Sequence, residues 1–162
     1  MAASLAFRLS GGAGNSNPLL STGGVMSSTA AAANALFDTV SAAEALAGDT
    51  EYRAIFLLNN GDKDLVGVKL WISDQATSGV LALALDGAGK NADAEVEVDE
   101  STAPTGETFS SPTDVGSAIT VPDLAVGDRH AVWVRRVIGA ATGGVALASN
   151  TAELRVDYEY IP

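Results

Sequence analysis

A chain with no cysteine and a single histidine, His130, has few routes to covalent chemistry. A serine hydrolase needs that imidazole between an activated serine and an orienting acid. His130 opens a strand-like run, and no Gly-x-Ser-x-Gly elbow occurs for it to serve. It reads as a partly exposed histidine at a strand edge. Gly11-Gly12-Ala13-Gly14 precedes no helix that could point its N-terminus at phosphate, and the chain has neither a Walker loop nor a Gly-x-Gly-x-x-Gly fingerprint. The segment Asp86–Glu107 holds seven carboxylates (Asp86, Asp93, Glu95, Glu97, Asp99, Glu100 and Glu107) against Lys90. Calcium wants a loop that wraps the ion, and a glycosidase wants two acids across a cleft. Acids alternating with Val96 and Val98 do neither, so the segment is predicted to be a solvated edge strand whose charges discourage aggregation. No catalytic residue, metal ligand or cofactor is expected, and the chain is read as not an enzyme.

The tryptophans carry more. Trp71 alternates onto the same strand face as Lys69, and Trp133 onto the same face as Arg135. If the two strands share a sheet, two indoles and two cations form one outer patch in a chain with only nine basic residues. Trp and Arg are enriched at interface hot spots, so a protein interface is one reading. A sugar-stacking platform is another. A one-residue slip of register would instead place one ring in the core.

Those side chains must be positioned by strands. Tyr52–Leu58, Leu65–Ser73, Val80–Leu85, Ala94–Val98, Ala118–Val121, His130–Ile138, Val145–Ala148 and Ala152–Tyr160 show period two or short apolar runs bounded by turn residues. In the last strand, Ala152, Leu154, Val156, Tyr158 and Tyr160 oppose Glu153, Arg155, Asp157 and Glu159, so one side packs and the other is wet. Seven or eight short strands at such spacing predict an all-β sandwich, and they leave no room for the helices of a parallel α/β fold. Helical character is confined to Ser28–Gly48, as one or two short turns, with a capping-box spacing at Ser41 and Glu44 and a stop at Gly48. Pro122 ends one run, and Leu124-x-x-Gly127-Asp128 forms a corner feeding the strand that bears Trp133.

Residues 1–35 differ from the rest, being rich in Gly, Ser and Asn with Arg8 as the one charge. Their few apolar side chains, among them Phe7, Leu9, Leu19 and Leu20, recover too little to offset ordering entropy alone. The segment is therefore read as an extended N-terminal arm, either loose or ordered against a neighbouring subunit, ahead of a sandwich domain over 36–162. The net charge of −11 and pI near 4.2 argue against nucleic acid. No basic n-region precedes an apolar run at the start, so no signal peptide is expected, and no apolar window is long enough to span a bilayer.

Several stretches in succession resemble something known. They are Glu51-Tyr52-Arg53-Ala54-Ile55, Val68-Lys69-Leu70-Trp71-Ile72-Ser73 and Ala103-Pro104-Thr105-Gly106 with Phe109, Ser110 and Pro112. Asp123-Leu124-x-x-Gly127, Ala131-Val132-Trp133-Val134-Arg135-Arg136 and Leu154-Arg155-Val156 follow, and Phe7-Arg8-Leu9-Ser10-Gly11-Gly12-Ala13 with Asn17-Pro18 and Gly23-Gly24 precedes them. This pattern resembles Ig-like virion structural proteins of tailed bacteriophages over nearly the whole chain. The resemblance implies an Ig-like antiparallel sandwich on the virion. Its expected role is a capsid decoration (cement) protein that binds the assembled head, with a tail or head–tail connector component or a surface adhesin as alternatives. The partners it implies are the major capsid protein or other virion subunits, met by homo-oligomeric or lattice-repeated copies, with no nucleic acid and no membrane. Phe7, Leu9, Leu19, Leu20, Lys69, Trp71, Trp133 and Arg135 are the residues expected at the interface.

Overall fold

The computed structural model describes residues 2–32, 35–76, 79–141 and 151–161. The strand expected over Val145–Ala148 lies outside them. Nine strands are described: β1 (Leu5–Leu9), β2 (Gly23–Gly24), β3 (Asp49–Asn59), β4 (Leu65–Asp74), β5 (Gly79–Leu85), β6 (Ala94–Val96), β7 (Ile119–Thr120), β8 (Arg129–Ile138) and β9 (Glu153–Tyr160). They form a four-stranded sheet in the order β1-β3-β8-β5, a three-stranded sheet β7-β4-β9 and a two-stranded ribbon β2-β6, all antiparallel. The fold is the all-β sandwich its periodicity predicts. Labelled A to F, the strands β1, β3, β4, β5, β8 and β9 give sheets A-B-E-D and C-F, the order that Ig-like sandwiches use.

Register decides which side chains meet. Arg53 pairs Val134 and Ile55 pairs Val132, and this side of the large sheet faces β4 and β9. Ile55, Leu57, Val132, Val134 and Leu83 meet Leu65, Val68, Leu70 and Ile72 there, each at most 2% exposed. The opposite side carries Ala54 opposite Trp133 and Phe56 opposite Ala131. It is covered too, by Met26, Ala94 and Phe109 from the ribbon and the segment after it. The large sheet is thus sandwiched on both faces.

The corner behaves as its chemistry requires. Leu124 is fully buried and exchanges backbone hydrogen bonds with Leu65 on β4, and Gly127 then turns at φ +84° to send the chain into the other sheet as β8. The one α-helix among the described residues, α1 (Ala42–Ala47), begins with the capping box: Glu44 N–H donates to Ser41 Oγ at 3.2 Å, and Ser41 N–H donates to Glu44 Oε2 at 2.6 Å. Gly48 ends it.

The first thirty residues correct the expectation of an extended arm. β1 pairs residue for residue with β3 from Leu5 opposite Asn59 to Leu9 opposite Ile55, and residues 27–31 run back along β1 through Leu9 N–H to Thr29 O, Ser27 N–H to Leu9 O and Ala31 N–H to Phe7 O. Phe7 packs on the central core and Leu9 is 1% exposed, so neither reaches for a neighbour. Order here comes from hydrogen bonding more than from large side chains. Ser10, Ser21 and Ser27 are fully buried, Asn15 donates to Ser10 O at 2.6 Å, and Ser27 Oγ donates to Asn15 O at 2.6 Å. Glycine permits the close approach, since a Cβ at Gly23 would lie 1.6 Å from Glu95 O.

Candidate functional site

His130 and Asp86, two of the residues whose types could do chemistry, are held in contacts within the fold. His130 is buried, with Nδ1 2.9 Å from Ala131 O, rather than partly exposed at an edge. Asp86 lies beneath the large sheet, where Oδ2 accepts from Trp133 Nε1 at 2.8 Å and from Glu95 N–H at 3.1 Å. The acidic segment has Asp93 and Asp99 in water, as a solvated edge requires, but not all of its carboxylates are there. Glu97 is buried while Val96 and Val98 are 70% and 89% exposed, so the alternation is there but its sides are reversed. Burial, then Glu95 and Asp99 nearby, push the Glu97 carboxyl above its ordinary value. Among the described residues no group of His, Asp and Glu is placed to hold a metal ion, and no helix is long and apolar enough to cross a membrane.

The expected patch of two indoles is not formed, because β4 and β8 lie in different sheets. Trp133 does share its face with Arg135, but that face is roofed. Its ring is fully buried against Ala54, Phe56, Ala84 and Ala94. Arg135 is half-buried, its guanidinium 5.0 Å from the Phe109 ring, which in turn packs edge-on to Tyr52. A platform using both indoles is therefore excluded along with the joint interface.

Lys69 and Trp71 remain on the outside. They sit on the outer face of the three-stranded sheet, where Trp71 lies opposite Arg155 and Lys69 opposite both Asp157 and Thr120. Trp71 is partly exposed and belongs to none of the core clusters. Lys69 Nζ donates to Thr120 Oγ1 at 2.6 Å, and Ser73 Oγ donates to Glu153 Oε2 at 2.8 Å. Ser73 and then Arg155 hold the Glu153 carboxyl below its ordinary value, so it stays charged. This surface presents one indole, two cations and a border of carboxylates (Glu153, Asp157, Glu159). Arg155 was missed as a candidate, although its place on the wet side of β9 is plain from the alternation. Leu19 and Leu20 are 39% and 60% exposed on a single 3-10 turn, Pro18–Leu20.

A second cluster, at one end of the large sheet, was not foreseen. Glu51 and Arg136 are cross-strand partners and form a buried ion pair, which Asp38 extends by accepting from Arg136 Nη2 at 3.0 Å. Arg53, fully buried, pairs with Glu100. The Phe37 ring lies 4.8 Å from the Arg136 guanidinium and 5.6 Å from that of Arg53. Burial raises the Glu51 carboxyl to about 7 although Arg136 opposes the shift. These charges clamp Phe37–Asp38 and Glu100 onto the strand ends, and each has an opposite charge within the chain. The signal was available, since Glu51 and Arg53 share one face of an otherwise apolar strand.

Comparison of the chain with protein-family models, with curated proteins and with solved structures finds no match.

Proposed function

We propose that this chain is a non-enzymatic structural protein that attaches to other protein subunits through the outer face of β4 and β9, in the setting of a decoration protein on an assembled bacteriophage head. The observation that carries the adhesive part is the partly exposed Trp71 with Lys69 beside it and Arg155 opposite. Large aromatics and arginines at the centre of a patch supply most of the energy of a typical interface, and a rim of charges sets orientation and rate. The virion setting is supported by the sequence resemblance. On a symmetric lattice each contact can be weak, because repetition supplies avidity. Leu19 and Leu20 offer a second, smaller apolar contact.

Co-sedimentation with heads lacking this protein tests the reading. Trp71→Ala is expected to weaken attachment by at least tenfold, the scale of a hot-spot truncation, with the thermal midpoint little changed. Attachment at full strength by that variant would remove the proposal.

A further inference from the structure

We infer that the free edge of β9 is an acceptor for an extended strand of a partner polypeptide, one with apolar residues at alternate positions and lysine or arginine between them. The inference takes from the adhesion reading only that the partner is a protein, and it uses the edge of the sheet in place of its face.

The backbone states which groups are available. β9 pairs with β4, and among the described residues nothing pairs with its other side. Ile161 N–H donates to Asp64 O on the β4 side. Peptide groups alternate sides along a strand, and both register shifts fall on β4, so β9 itself is regular. The N–H and C=O groups of Leu154, Val156, Tyr158 and Tyr160 therefore point away from β4. Tyr158 N–H has turned to the carboxylate of its own neighbour, Asp157 Oδ1, at 3.0 Å.

The side chains of three of these residues point inward. Leu154, Val156 and Tyr158 pack on the central core yet stay partly exposed, while Leu70 and Ile72 beside them on β4 are at most 1% exposed. The seam of the sandwich is open along this flank. In an Ig-like sandwich the strand next to F is G, and among the described residues nothing takes that place beside β9. A strand laid there would bond the free peptide groups and cover the seam with every second side chain. Added strands of this kind draw affinity from main-chain bonds and specificity from alternate side chains.

Charge selects the occupant. The wet side of β9 offers Glu153, Asp157 and Glu159 against Arg155, in a chain of net charge −11. A second copy pairing antiparallel about Val156 would set Arg155 against Asp157 but also Glu153 against Glu159, and opposed like charges destabilise a sheet pair. A basic strand sets its cations against three carboxylates and meets a like charge at Arg155 alone.

The test uses the full chain and a blocked nine-residue peptide of alternating valine and lysine, beside an alternating valine–glutamate peptide and a valine–lysine peptide with the two residues in blocks. The expected result is saturable binding of the alternating lysine peptide, at least tenfold tighter than either control. Amide exchange at Leu154, Val156 and Tyr158 should slow on binding. Val156→Pro removes an edge N–H without removing a bond to β4 and should weaken binding at least tenfold. If that variant does not fold, the charge reversal Asp157→Lys with Glu159→Lys should shift preference toward the glutamate peptide. Equal binding of the alternating and block peptides, or indifference to peptide charge, would overturn the inference. So would slow exchange at those amides in the free protein, whether constant (the edge is filled by its own chain) or rising with protein concentration (it is filled by a second copy). Because no particles are involved, failure here leaves the attachment reading standing, and failure of the Trp71 experiment leaves the peptide result standing.

Discussion

The two sheets of this sandwich are built alike and used differently. The four-stranded sheet is covered on both faces, by the central core on one side and by the β2-β6 ribbon with Met26 and Phe109 on the other. Among the described residues, the three-stranded sheet is covered on one face only and one of its edges is free. Each sheet has a tryptophan and an arginine on its outer side, Trp133 with Arg135 and Trp71 with Arg155. The same residue types therefore hold the fold in one place and face water in the other. What separates them is whether a distant segment of the chain lies on top.

The comparison breaks most easily at Trp133. Trp133→Ala empties a fully buried site and removes the indole donor from Asp86 Oδ2, which keeps only Glu95 N–H. Truncation of a core tryptophan costs about 3–5 kcal/mol, and the loss of one of two donors to a buried carboxylate oxygen adds to that. Urea denaturation should show a loss of that size with no change in any surface property. A loss below about 1 kcal/mol would mean that the outer face of the large sheet is open after all.

The contrast also marks what a strand's own sequence can state. Period two was enough to place β4, β5, β8 and β9 and to put Trp71 beside Lys69 and Trp133 beside Arg135, and the spacing of Ser41 and Glu44 was enough to find the capping box. Alternation tells which residues share a side, but not which side is covered. Trp133 is roofed by residues near 26, 94 and 109, and Val96 and Val98 are outside with Glu97 within, because the ribbon docks by its other face. The N-terminal segment departs from its composition for a different reason. Leu5, Phe7 and Leu9 do alternate with Ala6 and Arg8, but weighing its few apolar side chains overlooked the hydrogen bonds that Ser10, Asn15, Ser21 and Ser27 supply. Such bonds depend on which loops meet, and composition is silent on that.

A smaller effect distinguishes the buried charges of the large sheet from the exposed ones of the small sheet. Burial raises Glu51 from 4.5 to about 7, against the pull of Arg136. The folded state therefore holds this proton more tightly than the unfolded chain does. The resulting stability is complete below about pH 4.5 and is lost as pH rises through about 7. Glu97 shifts in the same direction, also by burial first. The surface carboxylates Asp99, Asp114, Asp128 and Glu153 are shifted down by hydrogen bonds, and they withdraw their support only at more acid pH. Thermal midpoints of the wild type should thus decline between about pH 5 and pH 7.5. Glu51→Gln should flatten that decline without abolishing it, because Glu97 remains. An unchanged slope would show that Glu51 titrates as it does in the unfolded chain.

The smallest effect is expected at Lys69, and it is informative for that reason. Lys69 donates to Thr120 Oγ1 and faces Asp157 across β4 and β9, on a surface open to water. Exposed polar contacts of this sort are worth about 0–1 kcal/mol, since solvent screens them and both side chains lose freedom. Arg136 is its counterpart in the large sheet, bound to Glu51 and Asp38 at 8% exposure, and removing one partner of a buried pair costs about 3–5 kcal/mol. Lys69→Ala should therefore leave urea stability within about 0.5 kcal/mol of wild type. It should nonetheless lower attachment to heads a few-fold, with most of the change in the association rate and a weaker dependence on salt, as a rim charge does. A stability loss comparable to that of Arg136→Ala would place Lys69 inside a structural network. The outer face of the small sheet would then belong to the fold in the same sense as that of the large one.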